Sequence, residues 1–258
     1  MEKAIKAVLE KESANVKLIV IEAKTNRLLA SKDTDEVFSS ASLIKVPILV
    51  AVLDYVENKN LSLQQNIVIS SENRVEFSVL TELDVQEATL YELMAWMIIT
   101  SDNTATNVLI DFLGFENLNL YFNKIGLKDT RLQRKMMDFE RLEKGFNNVT
   151  SARDMGNLFS QIYRHELLSN YSETVIEILS RQRIHESLKR YLVDDIRIAH
   201  KTGSLETVEH DIGIVFSEMM DYIIGVFVTE HTNNKKTKKL IGKLSRIVYE
   251  HLGKGSAF

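Results

Sequence analysis

Between Leu43 and Leu53 every residue is apolar except Lys45, and the run includes Pro47, the only proline of the chain. A helix that is hydrophobic all round has to be buried, so a chain carrying this run must fold around it. Proline cannot donate a helical hydrogen bond and is tolerated near the first turn. That predicts a helix starting at Ser42 or Leu43 and running to about Glu57. Lysine is almost never fully buried without a partner, so Lys45 needs a reason to be there. Ser42 lies three residues before it, on the same face and within one turn, after the lead-in Phe38-Ser39-Ser40-Ala41. Two readings fit. In one, Ser42 caps the helix and Lys45 is a solvated charge. In the other, Ser42 is a nucleophile beside the free N–H groups of a helix start, which stabilise an oxyanion. Lys45 is then its base, once burial or a second cation lowers the lysine pKa.

Two later motifs bear on that choice. Thr100-Ser101-Asp102-Asn103-Thr104-Ala105-Thr106-Asn107 follows an apolar helix. Asp102 or Ser101 caps the next helix there; alternatively Ser101 relays protons and Asn103 reads a substrate carbonyl or amide. His200-Lys201-Thr202-Gly203-Ser204 ends a strand. It is either a solvated edge or a positive strand end where glycine admits a substrate to the backbone. The three motifs together, in this order, favour chemistry over three unrelated caps and edges. Lys45 is then expected near Ser101 and Lys201, with mutual repulsion lowering the pKa of either lysine.

Composition narrows the alternatives. With 258 residues, 45% hydrophobic and 26% charged, the chain has the make-up of an ordinary globular protein with a full core. A formal net charge of −4 argues against nucleic acid as a partner. There is no cysteine, which excludes disulfides, thiolate metal sites and cysteine nucleophiles. The six histidines are scattered without paired ligand spacing, so no metal and no organic cofactor is expected. No segment reads as a membrane span or a signal peptide. A cytosolic monomer acting on a small molecule or peptide is the expectation, extracytoplasmic if a leader has been removed.

Taken in order, a short amphipathic helix runs to about Lys11. Strands at 16–22 and 27–30 follow, joined by a turn at Thr25-Asn26. After the buried helix, 60–90 reads as loop-rich, with helices at 90–100, 103–113, 116–125, 151–165 and 171–180. Strand patterns return at 196–202, 211–216 and 222–229, and 235–252 closes as a helix whose Lys235, Lys236, Lys238 and Lys239 form a solvated face. Strands at both ends with helices between imply an α+β fold. Its five-stranded antiparallel sheet is built from both termini, with an inserted all-helical lobe in one domain. The expected lobes are 1–40 with 190–258 and 41–189.

Ser-x-x-Lys at Ser42 and Lys45, Ser-Asp-Asn at 101–103 and Lys-Thr-Gly at 201–203 form the motif set of penicillin-recognising serine enzymes. The chain resembles the class A β-lactamases along nearly its whole length. Phe38-x-x-Ala41-Ser42-x-x-Lys45 is similar to that family's active-serine segment, and Ser101 to Ala105 with Leu109 and Gly114 to its second motif and helix. The resemblance implies Ser42 as nucleophile and Lys45 as its close partner. Ser101 would relay a proton to the leaving nitrogen, and Asn103 would bind the substrate's side-chain amide. Lys201 and Thr202, with Gly203 giving access, would hold the substrate carboxylate. The N–H groups of Ser42 and Ser204 would form the oxyanion hole, and Phe77 an aromatic wall.

Two departures qualify the resemblance. The family carries a loop reading Arg-x-Glu-x-x-Leu-Asn whose glutamate activates the deacylating water. Here that loop aligns on Arg134 and places Met136 at the glutamate. A thioether cannot take a proton from water, and the nearest carboxylates are Asp138 and Glu140, the substitutes to be expected. His210 falls where many members have an arginine for the substrate carboxylate; a histidine does that work only when protonated. The resemblance thus implies a serine hydrolase acylated on Ser42 by β-lactams or related amides and esters, releasing the acyl group slowly, with a part in antibiotic resistance or β-lactam breakdown. A penicillin-binding, peptidase-like or esterase-like enzyme is the alternative. A non-catalytic binding or sensor domain is the alternative of another class, and a pure binder has no use for Lys45.

Overall fold

The computed structural model describes residues 1–192 and 195–253, so parts of the expected 190–258 lobe, at 193–194 and 254–258, lie outside the described residues. The elements are α1 (Glu2–Leu9), β1 (Asn15–Glu22), β2 (Leu28–Lys32), β3 (Val37–Ser39), α2 (Lys45–Lys59), β4 (Asn66–Val68), α3 (Val79–Glu82), β5 (Glu87–Thr89), α4 (Leu90–Ile99), α5 (Asn103–Leu113), α6 (Phe115–Lys124), α7 (Phe139–Glu143), β6 (Val149–Ser151), α8 (Ala152–Tyr163), α9 (Ser172–Ser180), β7 (Ile198–Ser204), β8 (Glu209–Val215), β9 (Tyr222–Thr229) and α10 (Asn234–Leu252). Among them no helix is long and apolar enough to cross a membrane.

Five strands form one antiparallel sheet in the order β2-β1-β9-β8-β7, joining both ends of the chain as the sequence implies. Strand β1 is apolar on both faces because both are covered. Val16, Leu18 and Val20 pack with Ile5 of α1 and with Leu240, Ile241, Leu244 and Val248 of α10. Ile19 and Ile21, on the opposite face, join Ile212, Ile214, Ile223 and Phe227 against Met155 and Phe159 of α8. That second cluster continues without a break into α2, α4, α5 and α9. One core therefore serves the sheet face and the helical lobe.

The apolar run behaves as its composition requires: every residue from Leu43 to Leu53 is buried. Its start differs from the expectation. Ala41–Ile44 form a 3₁₀ turn, and the α-helix begins at Lys45, leaving Pro47 in its first turn where no N–H is needed. Two short pairings were not legible in the sequence. Strand β4 pairs with β5, and β3 pairs with β6 from Val37↔Ser151 to Ser39↔Val149. The β3–β6 pairing ties the end of the 130–148 loop to the lead-in of Ser42, and Ser40 N–H extends it by donating to Asn148 O at 2.9 Å.

Asp102 fixes the second motif. Its carboxylate accepts from the Ala105 N–H at 2.8 Å, capping α5, and from Ser78 Oγ at 2.9 Å and the Leu80 N–H at 3.2 Å. It is 1% exposed, so its loss leaves buried donors without an acceptor. Asp102→Ala is expected to destabilise the fold by about 3 kcal/mol or more, read by urea unfolding, with Asp102→Asn intermediate. A loss below ~1 kcal/mol would show that these bonds do not hold the turn.

Candidate active site

A cavity of about 420 Å³ is lined by Ser42, Ser101, Asn103, Thr202 and Ser204, with Phe77 at its edge and Met136, Arg134 and Asn147 from the loop. Three separate segments meet there because α2, α5 and β7 converge on the end of the common core. Backbone strain gathers at the same place. Ala41, Phe77, Ser101 and Met137 all have positive φ, between 44° and 62°, and all four line the cavity.

Lys45 Nζ donates to Ser101 O at 2.6 Å, to Ser101 Oγ at 3.2 Å and to Asn103 Oδ1 at 2.9 Å. Lys201 Nζ donates to the same Ser101 Oγ at 3.0 Å and to Thr202 O at 2.8 Å. Both lysines are fully buried. Burial, then repulsion from Lys201, pushes the Lys45 pKa well below the usual lysine value, against the pull of Asp102. Burial lowers Lys201 to about 7, opposed by Asp211. An ammonium with all three protons engaged is no base, so Lys45 has to be neutral to accept one.

Strand β7 passes close over the start of α2. A Cβ on Gly203 would lie 3.2 Å from Ala41 Cβ and from Ser40 O and 3.3 Å from Ser42 N, tighter than side chains normally approach. Glycine thus lets the strand carry Thr202 and Ser204 to Ser42. Phe77 stands 74% exposed at the mouth.

Three expected residues are elsewhere. His210 is fully buried beneath β3, its ring 4.9 Å from Phe38 and 5.7 Å from Phe227, with Nε2 at 3.0 Å from Ser39 O. Burial lowers its pKa to about 4, so at neutral pH it carries no charge for a substrate carboxylate. Asp138 caps α7, accepting from the Arg141 N–H at 3.0 Å, and lines a separate outer groove with Phe115 and Phe146. Glu140 is exposed and paired with Lys144 at 2.5 Å. Neither lines the cavity, although Met137 and Phe139 on either side of Asp138 do. The loop itself does cover the site. Asn107 accepts from the Met136 N–H at 2.8 Å and donates to Met136 O at 3.2 Å, and Met136 is 8% exposed on the cavity wall. Among the described residues no carboxylate lines the cavity.

The loop residues Asn147 and Asn148 escaped the sequence reading. Asn148 Oδ1 accepts from the N–H groups of Gln133 at 2.7 Å and Arg134 at 3.1 Å, and Asn147 Nδ2 donates to Ser39 Oγ at 3.1 Å. The adjacent amides just before β6 were the only available signal. Among the described residues no group of three or more His, Cys, Asp or Glu is placed to hold a metal ion.

The model of a family described as the beta-lactamase enzyme family matches residues 1–252. Beta-lactamase AER-1 of Aeromonas hydrophila is 30% identical over 239 residues, covering 88% of this chain and 78% of that protein. A beta-lactamase of Citrobacter koseri is 27% identical, covering 95% and 86%. Among solved structures, PBP-A is 29% identical with a TM-score of 0.87, covering 97% of this chain and 94% of that one, and a mutant of it is an acyl-enzyme complex with penicillin G. The TLA-3 extended-spectrum beta-lactamase, 22% identical with a TM-score of 0.91, shares the fold.

The buried lysines make stability depend on pH. Lys201 titrates at about 7 when folded and near 10.5 when unfolded, so between these values the unfolded chain binds more protons and wild-type stability rises with pH. The stability difference between wild type and Lys201→Met should shift toward wild type from pH 7 to pH 10 by on the order of several kcal/mol, measured by urea unfolding at each pH. A difference that stays flat would mean that Lys201 keeps an ordinary pKa.

Proposed function

The chain belongs to the beta-lactamase enzyme family, and from that premise we propose that Ser42 is acylated by β-lactams or related amides and that the acyl group leaves slowly. The observation that carries this reading is the Ser101 hydroxyl shared between two buried lysines, in one cavity with Ser42. Lys45, driven toward its neutral form, takes the Ser42 proton as Oγ attacks the carbonyl carbon. The N–H groups of Ser42 and Ser204 receive the oxyanion. Collapse breaks the C–N bond, and Ser101 delivers a proton to the departing nitrogen, resupplied by the lysine beside it. Asn103 and Thr202 orient the substrate, with Lys201 contributing positive potential toward its carboxylate. The site residues need no metal or organic cofactor for these steps.

Release requires a water and a base. The loop offers Met136, Met137 and Phe139 to the cavity and no carboxylate. Loss of a positioned base slows such a step by roughly a hundred- to ten-thousandfold. The same absence favours a second reading, in which this chain is a penicillin-binding, peptidase-like enzyme and β-lactams act on it as slow inhibitors; its likeness to PBP-A supports that reading. The two share the acylation chemistry and differ in what the acyl-enzyme meets next. The monomeric state is part of the proposal.

Wild type is expected to gain one penicillin mass equivalent in intact-mass spectra, and Ser42→Ala to gain none; an adduct persisting in Ser42→Ala would move the nucleophile elsewhere. Kinetically, penicillin opening should show a burst of one equivalent before slow turnover. Met136→Glu should speed release by tenfold or more on the scale of general-base catalysis, about 10²–10⁴ at most. A wild type that turns over quickly without a burst, or a Met136→Glu whose acyl-enzyme lives as long as wild type's, would overturn the account of release.

A further inference from the structure

Arg134 lines the cavity with 9% of its surface exposed, and every acceptor that it reaches is neutral. Its Nε lies 3.4 Å and one terminal nitrogen 3.3 Å from Asn147 Oδ1, and the other terminal nitrogen lies 3.3 Å from Lys135 O. A guanidinium has about five N–H groups, so each terminal nitrogen keeps one unused. The neighbouring Lys135 is placed differently, its ammonium paired with Asp111 at 2.7 Å. Among the described residues no carboxylate lines the cavity or hydrogen-bonds Arg134; Asp138, in the outer groove, acts on its charge only through space.

A buried charge with no hydrogen-bonded counter-ion is costly. Lys45 and Lys201 relieve the same cost by titrating, which a guanidinium cannot do at any ordinary pH. Its charge is permanent, and its planar fork fits a carboxylate with two parallel bonds. The side chain is also held ready. Asn148 binds the Arg134 backbone at both N–H and C=O, at 3.1 and 3.0 Å, and Asn147, which receives the guanidinium, is itself bonded to Ser39. Arg134 comes from the loop and Lys201 from β7, so an anion at Arg134 is additional to the one that the resemblance assigns to Lys201 and Thr202.

We propose that Arg134 is an anion-recognition residue of the cavity, selecting substrates that carry a carboxylate on the acyl side chain as well as the one held from β7. The proposal rests on the acyl-enzyme reading above.

The test compares the acylation rate constants of benzylpenicillin and α-carboxybenzylpenicillin, which differ by one carboxylate, by intact mass over time. Wild type should favour the dianion by about tenfold or more at low ionic strength, as a charge-assisted fork contact implies, and the preference should shrink in salt. Arg134→Gln should bring the ratio of the two rates to within about twofold of one, whatever happens to either rate singly. Should that variant not fold, Arg134→Lys, which keeps the charge and loses the fork, is expected to lower the ratio. A wild-type ratio near one, a ratio unchanged in Arg134→Gln, or one unchanged in Arg134→Lys overturns the proposal and leaves Arg134 a structural residue of the loop. Adducts with both penicillins at one rate defeat this inference alone; an adduct with neither defeats the acylation reading and this inference with it.

Discussion

The Ser101 hydroxyl bonded to both Lys45 and Lys201 is the contact on which the other site features converge. Two ammonium groups cannot share one small acceptor at full charge in a buried site without strong repulsion. The fold brings them there anyway, from the first turn of α2 and from the middle of β7, and Ser101 meets them from a left-handed backbone position. Everything required to sustain that meeting is structural. Asp102 anchors the turn, Gly203 allows β7 to close on the start of α2, and a continuous apolar core holds both elements rigid. Burial first, and repulsion from Lys201 second, drives Lys45 toward the neutral state that proton transfer needs.

The loop from Thr130 to Asn148 is the second determinant. Its path is fixed by side-chain amides: Asn107 grips Met136, and Asn148 grips Gln133 and Arg134. Such amide clamps hold a backbone without regard to the side chains it presents. The loop can therefore keep its position over Ser42 while presenting thioethers and an aromatic ring in place of a carboxylate. Acylation and release are thus separable in this architecture, because the groups for the first come from α2, α5 and β7 and those for the second from the loop.

Much of this was legible in the sequence for identifiable reasons. The run from Leu43 to Leu53 could only be a buried helix, and Pro47 located its beginning to within a turn. The strands at both ends had apolar residues on both faces, which specifies a covered sheet. Ser42, Lys45, Ser101, Asn103, Lys201 and Thr202 stood in short motifs whose spacing carries chemical meaning, together with the resemblance they support. What sequence spacing could not determine was orientation. His210 sits one strand over from Gly203 in register, yet its ring lies among Phe38 and Phe227, because strand alternation and the β3 cover decide which face receives it. Asp138 and Glu140 are near Met136 along the chain, but Asp138 caps α7 on the outer groove and Glu140 pairs with Lys144 in solvent, while Phe139 between them takes the cavity side.

The sequence by itself determined the long helices, the sheet built from both termini, and the motif residues Ser42, Lys45, Ser101, Asn103, Lys201 and Thr202, since hydrophobic period and motif spacing are local properties. The tertiary structure alone decided which of them meet at hydrogen-bond distance, that one core serves both lobes, and that the loop neck is pinned by β3 and β6 beside the nucleophile. It also decided that Arg134 lines the cavity with only neutral hydrogen-bond acceptors, Asp138 acting on its charge through space from the outer groove. Those outcomes depend on burial and register between segments a hundred residues apart. No local pattern encodes the dielectric, the partner or the direction of a side chain that only a completed fold encloses.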